Sequence, residues 1–192
     1  MNPFDFDPEA TPLPILLFGD PRLRERSAEI PSIDPTLLAE ASALIATLRD
    51  FRARSGFGRA ISAVQVGVLK RLVAMDLGSG PFLLLNPEIT WRSEETFLVW
   101  DDCLSIPDVL VRIRRHRSVS LTYRDHRFQP QRWNDLPPDL SELIQHEIDH
   151  LNGILMTDRA EGEDAVQPMS RRSELGAPRE QLPKGSAWGR LV

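Results

Sequence analysis

Apolar positions recur at helical spacing in one long stretch near the start of the chain. In SIDPTLLAEASALIATLRDFRARSG, Leu37, Leu38, Ala41, Leu44, Ile45 and Leu48 fall on one side of a helical wheel. Asp34 stands where a carboxylate caps free amides, Pro35 suits the first turn, and Gly56 follows the end. These signals predict a helix with one buried stripe. Over residues 70–124 the pattern shortens to runs that are apolar or alternate at every second residue: RLVAMDL, FLLLN, EITW, TFLVW, DVLVRIR and SVSLTYR. Gly, Pro, Asn and Asp separate them. They predict an antiparallel, partly open sheet. After NDLPP a helical pattern returns over about residues 138–151 and stops at Gly153. Strands flanked by two helices make an α+β plan, with the sheet packed around the second helix.

The flanks differ from this middle. Residues 1–13 are acidic and proline-rich and predict a mobile arm; residues 14–162 form one domain. Residues 163–192 are rich in Pro, Gly and charge and poor in β-branched side chains, so little burial offsets their ordering entropy. That segment reads as a flexible tail, with SRRSEL as a short helical turn.

Composition narrows the function. A chain of 192 residues, 41% of them apolar, supports one core rather than two. A net charge of −5 argues against stable nucleic-acid binding, which needs a basic surface, and leaves the strip RIRRHR at 112–117 at most a weak contact to RNA. No apolar run reaches the roughly 20 residues of a membrane span. The start, MNPFDFDPEATP, lacks the cationic and apolar parts of a signal peptide, so no membrane contact and a cytoplasmic location are expected. The single cysteine, Cys103, excludes an intramolecular disulfide. It is then a small buried hydrophobe, a surface thiol, a nucleophile or a metal ligand.

LIQHEIDHLNG carries the densest chemistry. His146 and His150 lie four residues apart, which on a helix brings two imidazoles to one ion, and Glu147 adjoins them at the edge of the apolar arc. A carboxylate there bears a desolvation penalty unless it has a partner or a task. The rival reading is a plain amphipathic helix with solvated histidines. A third ligand has to come from upstream, because the other histidines, His116 and His126, both precede this pair.

Three segments together resemble the signatures of the peptide deformylases, G-x-G-x-A-A-x-Q, E-G-C-L-S and Q-H-E-x-D-H. They are GRAISAVQ (58–65), DDCLS (101–105) and QHEIDH (145–150), in the family's order. ILLFGDPRLRERS and LLNPEI extend the likeness to roughly residues 14–160. The resemblance implies a metal hydrolase that removes the N-formyl group from formylmethionine of nascent polypeptides and releases formate. It makes Cys103, His146 and His150 the ligands of one divalent ion, Fe2+ in the first place with Zn2+ or Ni2+ also fitting, and leaves a fourth position open. Glu147 becomes the general acid–base. Gln65 and the backbone N–H of Leu104 become the donors to the developing oxyanion. The formylated nascent peptide is the implied partner.

Several positions depart from the pattern. Without gaps, Gly58, Arg59 and Ala60 align with G-x-G, so an arginine replaces an aliphatic residue along the substrate cleft and a methyl enters at a glycine. Asp101 and Asp102 replace glutamate and glycine beside the cysteine, and Asp102 brings negative charge to the cleft, unless it is a solvated turn residue. Arg115 matches a family arginine; it either pairs with Asp149 to brace the histidine helix or lies exposed on its strand. The tail is not the long C-terminal helix of many bacterial members, so ribosome contact is not carried over. Two alternatives stay open: a deformylase-like enzyme with another acyl or amide substrate, and a non-catalytic metal-binding module.

Overall fold

The computed structural model describes residues 7–175. In chain order the elements are helix α1 (Pro35–Ser55), strands β1 (Ala60–Ser62), β2 (Leu72–Asp76), β3 (Pro81–Arg92), β4 (Thr96–Cys103), β5 (Ile106–His116), β6 (Val119–Arg124) and β7 (Pro130–Trp133), helix α2 (Pro138–Leu151), strand β8 (Val166–Pro168) and helix α3 (Arg172–Leu175). The α+β plan holds. Helix α1 begins and ends on the expected signals: the Asp34 carboxylate accepts from the Leu37 N–H at 2.7 Å, and Gly56 closes the helix with φ 76°.

The one expected sheet is two, both antiparallel, with orders β1-β2-β3-β6-β7 and β4-β5-β8. FLLLN and EITW are halves of a single strand, β3. Asn86, which reads as a turn signal, is instead a left-handed residue (φ 51°) within it, beside a register shift against β6. Its side chain accepts from the Ile30 N–H and donates to the Ile30 carbonyl, both at 2.8 Å, and asparagine tolerates that backbone. Strands β1, β7 and β8 have three or four residues each, too few for alternation to show.

The first sheet is covered on both faces. Leu72, Ala74, Leu83 and Leu85 pack toward Leu37, Leu44, Leu48 and Phe51 of α1. Their neighbours Val73, Met75 and Leu84 pack with Leu121 and Trp133 toward Leu140, Ile144 and Leu151 of α2. Alternate side chains on β2 and β3 thus feed two cores, which is why these strands are apolar throughout. Helix α2 departs from the expected one-sided stripe. Every residue from Leu140 to Leu151 is buried, including the polar ones.

The terminal segments are more ordered than composition suggests. Residues 7–13 lie along α1, where the Leu13 N–H donates to Thr47 Oγ1 at 2.8 Å and the Asp7 N–H to Ser42 Oγ at 3.3 Å. In the segment read as a flexible tail, β8 pairs with the edge of β5 from Val109 to Val111, and α3 is the helical turn expected in SRRSEL. Backbone pairing rather than burial orders β8, whose Val166 side chain is exposed, so composition carries no trace of it. The remainder of the arm and tail lies outside the described residues.

The end of α2 packs against the 3-10 turn Pro21–Arg24. A Cβ on Gly153, which has φ 75°, would stand 2.3 Å from the Arg24 carbonyl oxygen, whereas one on Gly78 (φ 98°) meets nothing within 4 Å. Both substitutions by alanine carry the backbone strain, but only Gly153→Ala adds a clash. Urea unfolding should show Gly153→Ala less stable than Gly78→Ala by at least about 1 kcal/mol.

Candidate metal centre

Two elements bring the candidate ligands together. Helix α2 presents His146 and His150 one turn apart, and β4 delivers Cys103 at its last residue. A register irregularity between Asp101 and Cys103 re-aims that end of the strand, and Leu104 and Ser105 turn it into β5. Cys103 Sγ lies 3.2 Å from His150 Nε2, which lies 3.1 Å from His146 Nε2. The three ligand atoms fall within 4.8 Å of one another, all buried, and no other such cluster occurs among the described residues. The reading of solvated histidines is thereby excluded.

The donor set fits a metal ion. Asp101 Oδ2 stands 2.9 Å from His146 Nδ1. Burial opposes the charge on Asp101, but His146 and Arg115 outweigh it and hold the carboxyl well below its usual range. An ionised carboxylate only accepts, so Nδ1 keeps its hydrogen, and it is Nε2, on the side of Cys103 and His150, whose proton a metal ion would displace. Two imidazole nitrogens and a thiol converging in a dry site suit a divalent ion of borderline softness.

The other candidate residues surround this cluster. Glu147 is buried, which raises its pKa, and its Oε2 accepts from Ser62 Oγ at 2.5 Å. Gln65 sits in the 3-10 turn Ala63–Val66 that directly follows β1. Its Oε1 accepts from the Ser62 N–H at 2.9 Å, while Nε2 donates to Ser105 Oγ at 3.1 Å and lies 3.7 Å from Cys103 Sγ. The carboxamide is therefore held with its NH2 group toward the thiol.

One cleft adjoins His146 and Glu147. Gly58, Arg59, Ala60 and Leu104 line it together with Asp101 and Asp102, as do Glu142, Leu143 and Arg172. The structure thus brings every residue assigned to the cleft from sequence to one place. Arg59 is ion-paired with Glu142 in the interior, and its Nη1 donates to the Asp139 carbonyl at 3.1 Å. Burial pushes the Glu142 carboxyl upward against the pull of that guanidinium. Asp102 is no solvated turn residue: it belongs to β4 and accepts from Arg172 at 3.0 Å. Ala60 sits in β1 without positive φ, the left-handed conformation falling on Gly58 at φ 119°.

Sequence reasoning missed Glu142, Arg172 and Ser62. Glu142 stands one turn before His146, and its place on the ligand face of α2 was available as a signal. Arg172 had none, since only tertiary structure returns α3 to the cleft.

Arg115 is buried between two carboxylates, donating to Asp101 at 3.0 Å and to Asp149, which also accepts twice from Arg159 at 2.7 Å. The brace reading of Arg115 is the one the structure realises.

A buried carboxylate one residue from a histidine in a thiol–imidazole cluster, facing a cleft, defines the class as a metal-dependent hydrolase of the H-E-x-x-H type. Within that class the chain belongs to the polypeptide deformylase family, whose model matches residues 12–166. It is 36% identical over 147 residues to the peptide deformylase of Thermotoga neapolitana, covering 76% of this chain and 85% of that one. The crystal structure of the Thermotoga maritima peptide deformylase superposes with a TM-score of 0.72 at 33% identity, over 79% of this chain and 99% of that one. That of a Synechococcus elongatus peptide deformylase in complex with actinonin gives 0.73 at 31% identity, over 86% and 87%. The family implies one catalytic metal. Among the described residues no helix is long and apolar enough to cross a membrane.

If Arg115 braces α2 through Asp149, the two residues are energetically coupled. A double-mutant cycle with Arg115→Met and Asp149→Asn, read by urea unfolding, should give a coupling of about 1–3 kcal/mol. Each single change should cost about 1.5–3 kcal/mol, because it removes one charged hydrogen-bond partner while Asp101 or Arg159 remains. Additive effects would remove the brace.

Proposed function

We propose that this chain hydrolyses the formyl amide at the N-terminus of formylmethionyl peptides, leaving a free amine and formate. The observation that carries the reading is the placement of Glu147, buried beside His146, fixed by Ser62 and facing the cleft. Cys103, His146 and His150 would hold the metal, for which we propose ferrous iron; the donors also suit zinc or nickel. When bound, it supplies Lewis acidity toward the formyl oxygen and acidifies water.

The remaining work falls to the chain's own groups. Glu147 accepts the proton of the attacking water and delivers it to the departing amine nitrogen, so no net proton is consumed. Burial raises its pKa, which favours a carboxyl that gives back the proton it takes. Ser62 engages Oε2, which orients the carboxyl and directs proton transfer to Oε1. The Gln65 NH2 group and the Leu104 backbone N–H donate to the oxygen as negative charge grows on it, without adding a full charge to the site. Asp101 keeps His146 in the tautomer a ligand needs. A non-catalytic metal module has no use for Glu147 or Gln65, and their burial around the cluster supports catalysis.

Protein prepared anaerobically with ferrous iron should release formate from formyl-Met-Ala-Ser. Glu147→Gln should lower kcat/KM by at least about 100-fold while retaining one metal per chain by elemental analysis. Release undiminished in that variant would remove Glu147 from the chemistry, and no release by the metal-loaded parent would overturn the formylmethionine assignment.

In the same assay Gln65→Leu should cost about 2.7–4 kcal/mol of transition-state stabilisation. The loss should fall on kcat rather than KM, since the donor acts on charge that develops only during the reaction. A change confined to KM would place Gln65 in substrate binding instead.

A further inference from the structure

The cleft beside His146 and Glu147 is too narrow for the substrate proposed for it. Its free volume of about 20 Å3 holds roughly one water, and a methionine side chain is several times larger. Some part of the lining has to give way. Arg59, Asp101, Glu142, His146 and Glu147 are buried, and each is held by a partner on another element, so moving any of them strands a polar group in the interior.

Arg172 is different. It comes from α3, which has no buried residue, and reaches the lining from outside both cores. Its Nη1 donates to Asp102 Oδ2 at 3.0 Å and lies 3.6 Å from Met169 Sδ, while the guanidinium covers the Phe57 ring at 4.8 Å. The Arg172 and Asp102 side chains are 20% and 13% exposed, so water can solvate both when they part. The segment before Arg172 is tied down by the pairing of β8 to β5 and by Met169, which packs on the α1 core. A strap fixed at one end and held at the other by an ion pair and a ring contact can lift while both sheets stay in place.

Resting on the deformylase reading for the substrate, we infer that residues 169–175 form a strap over the cleft, latched by Arg172 on Asp102 and Phe57, and that a formylated peptide enters only when the latch opens. A ligand that binds the open form alone has its apparent affinity lowered by the fraction of protein that is open. Once the peptide is bound the latch is already open, so Arg172 acts on KM and leaves the chemical step alone.

The test separates KM from kcat. With metal-loaded protein and formyl-Met-Ala-Ser, Arg172→Ala should lower KM about five-fold, the effect of losing one partly exposed ion pair and one cation–π contact. Asp102→Asn should change KM in the same direction, and the two changes together should do little more than Arg172→Ala alone, because both release one latch. An unchanged KM in Arg172→Ala overturns the inference, and so does a raised one, which would make Arg172 a substrate contact. If neither wild type nor variant cleaves the peptide, the deformylase reading falls and metal entry decides on the strap. Co2+ added to metal-free protein reaches His146 past the same lining, and the absorption of its bond to the Cys103 thiolate reports arrival. Uptake about five-fold faster in Arg172→Ala than in wild type supports the strap. Equal, slower or undetectable uptake overturns it.

Discussion

Helix α2 has no solvent-facing side, yet between Leu140 and Leu151 it carries Glu142, His146, Glu147, Asp149 and His150. A buried charge without a partner costs several kcal/mol, more than a domain of this size can bear repeatedly. Each of these side chains therefore meets a group on another element. Glu142 meets Arg59, Glu147 meets Ser62, Asp149 meets Arg115, His146 meets Asp101, and His150 meets Cys103. Rotating or sliding the helix by one residue would strand all five. The register of α2 against both sheets follows from that constraint, and the meeting of two imidazoles with a thiol from β4 follows from the register.

Asp101 concentrates the consequence. It precedes Cys103 by two residues on the same strand, so the backbone that supplies one candidate ligand also orients another, through His146 Nδ1. Its second contact, to Arg115, continues to Asp149 and closes a loop from β4 through β5 to α2. Aspartate is one methylene shorter than the glutamate the family pattern has here, and it still reaches both partners. Such buried networks add little net stability against apolar replacements. Their worth lies in fixing the orientation of groups that a metal and a substrate require.

What the sequence disclosed divides along the line between local and non-local causes. Both long helices were legible from their ends, because Asp34, Pro35, Gly56 and Gly153 act within one turn of where they stand. The ligand set was legible because three short motifs fall in a known order, and Cys103 on its own would have remained a small buried hydrophobe. Asn86 misled because asparagine with positive φ serves a turn and a strand irregularity equally well. Strand β8 and the cleft-side contacts of Arg172 left no local mark, since pairing to β5 and to Asp102 is decided by residues more than fifty positions away. Arg115 stood evenly between a brace and an exposed strand residue until burial separated the two.

Two of the departures from the family pattern, Arg59 and Asp102, each meet an oppositely charged side chain in the cleft lining. An arginine at position 59 alone would bury an unmatched cation beside the candidate metal centre, and a glutamate at position 142 alone an unmatched anion. Together they neutralise each other. Asp102 and Arg172 repeat the arrangement with one partner drawn from the segment after β8. Ala60 is tolerated for a different reason, because its strand backbone is ordinary and Gly58 absorbs the unusual φ. Random loss of function would leave charges unmatched and would spare neither Glu147 nor Gln65. Here the groups around Cys103, His146 and His150 are in place, and Arg59 and Asp102 lie in the cleft lining with each charge answered, so the substitutions are accommodated without disturbing the cluster.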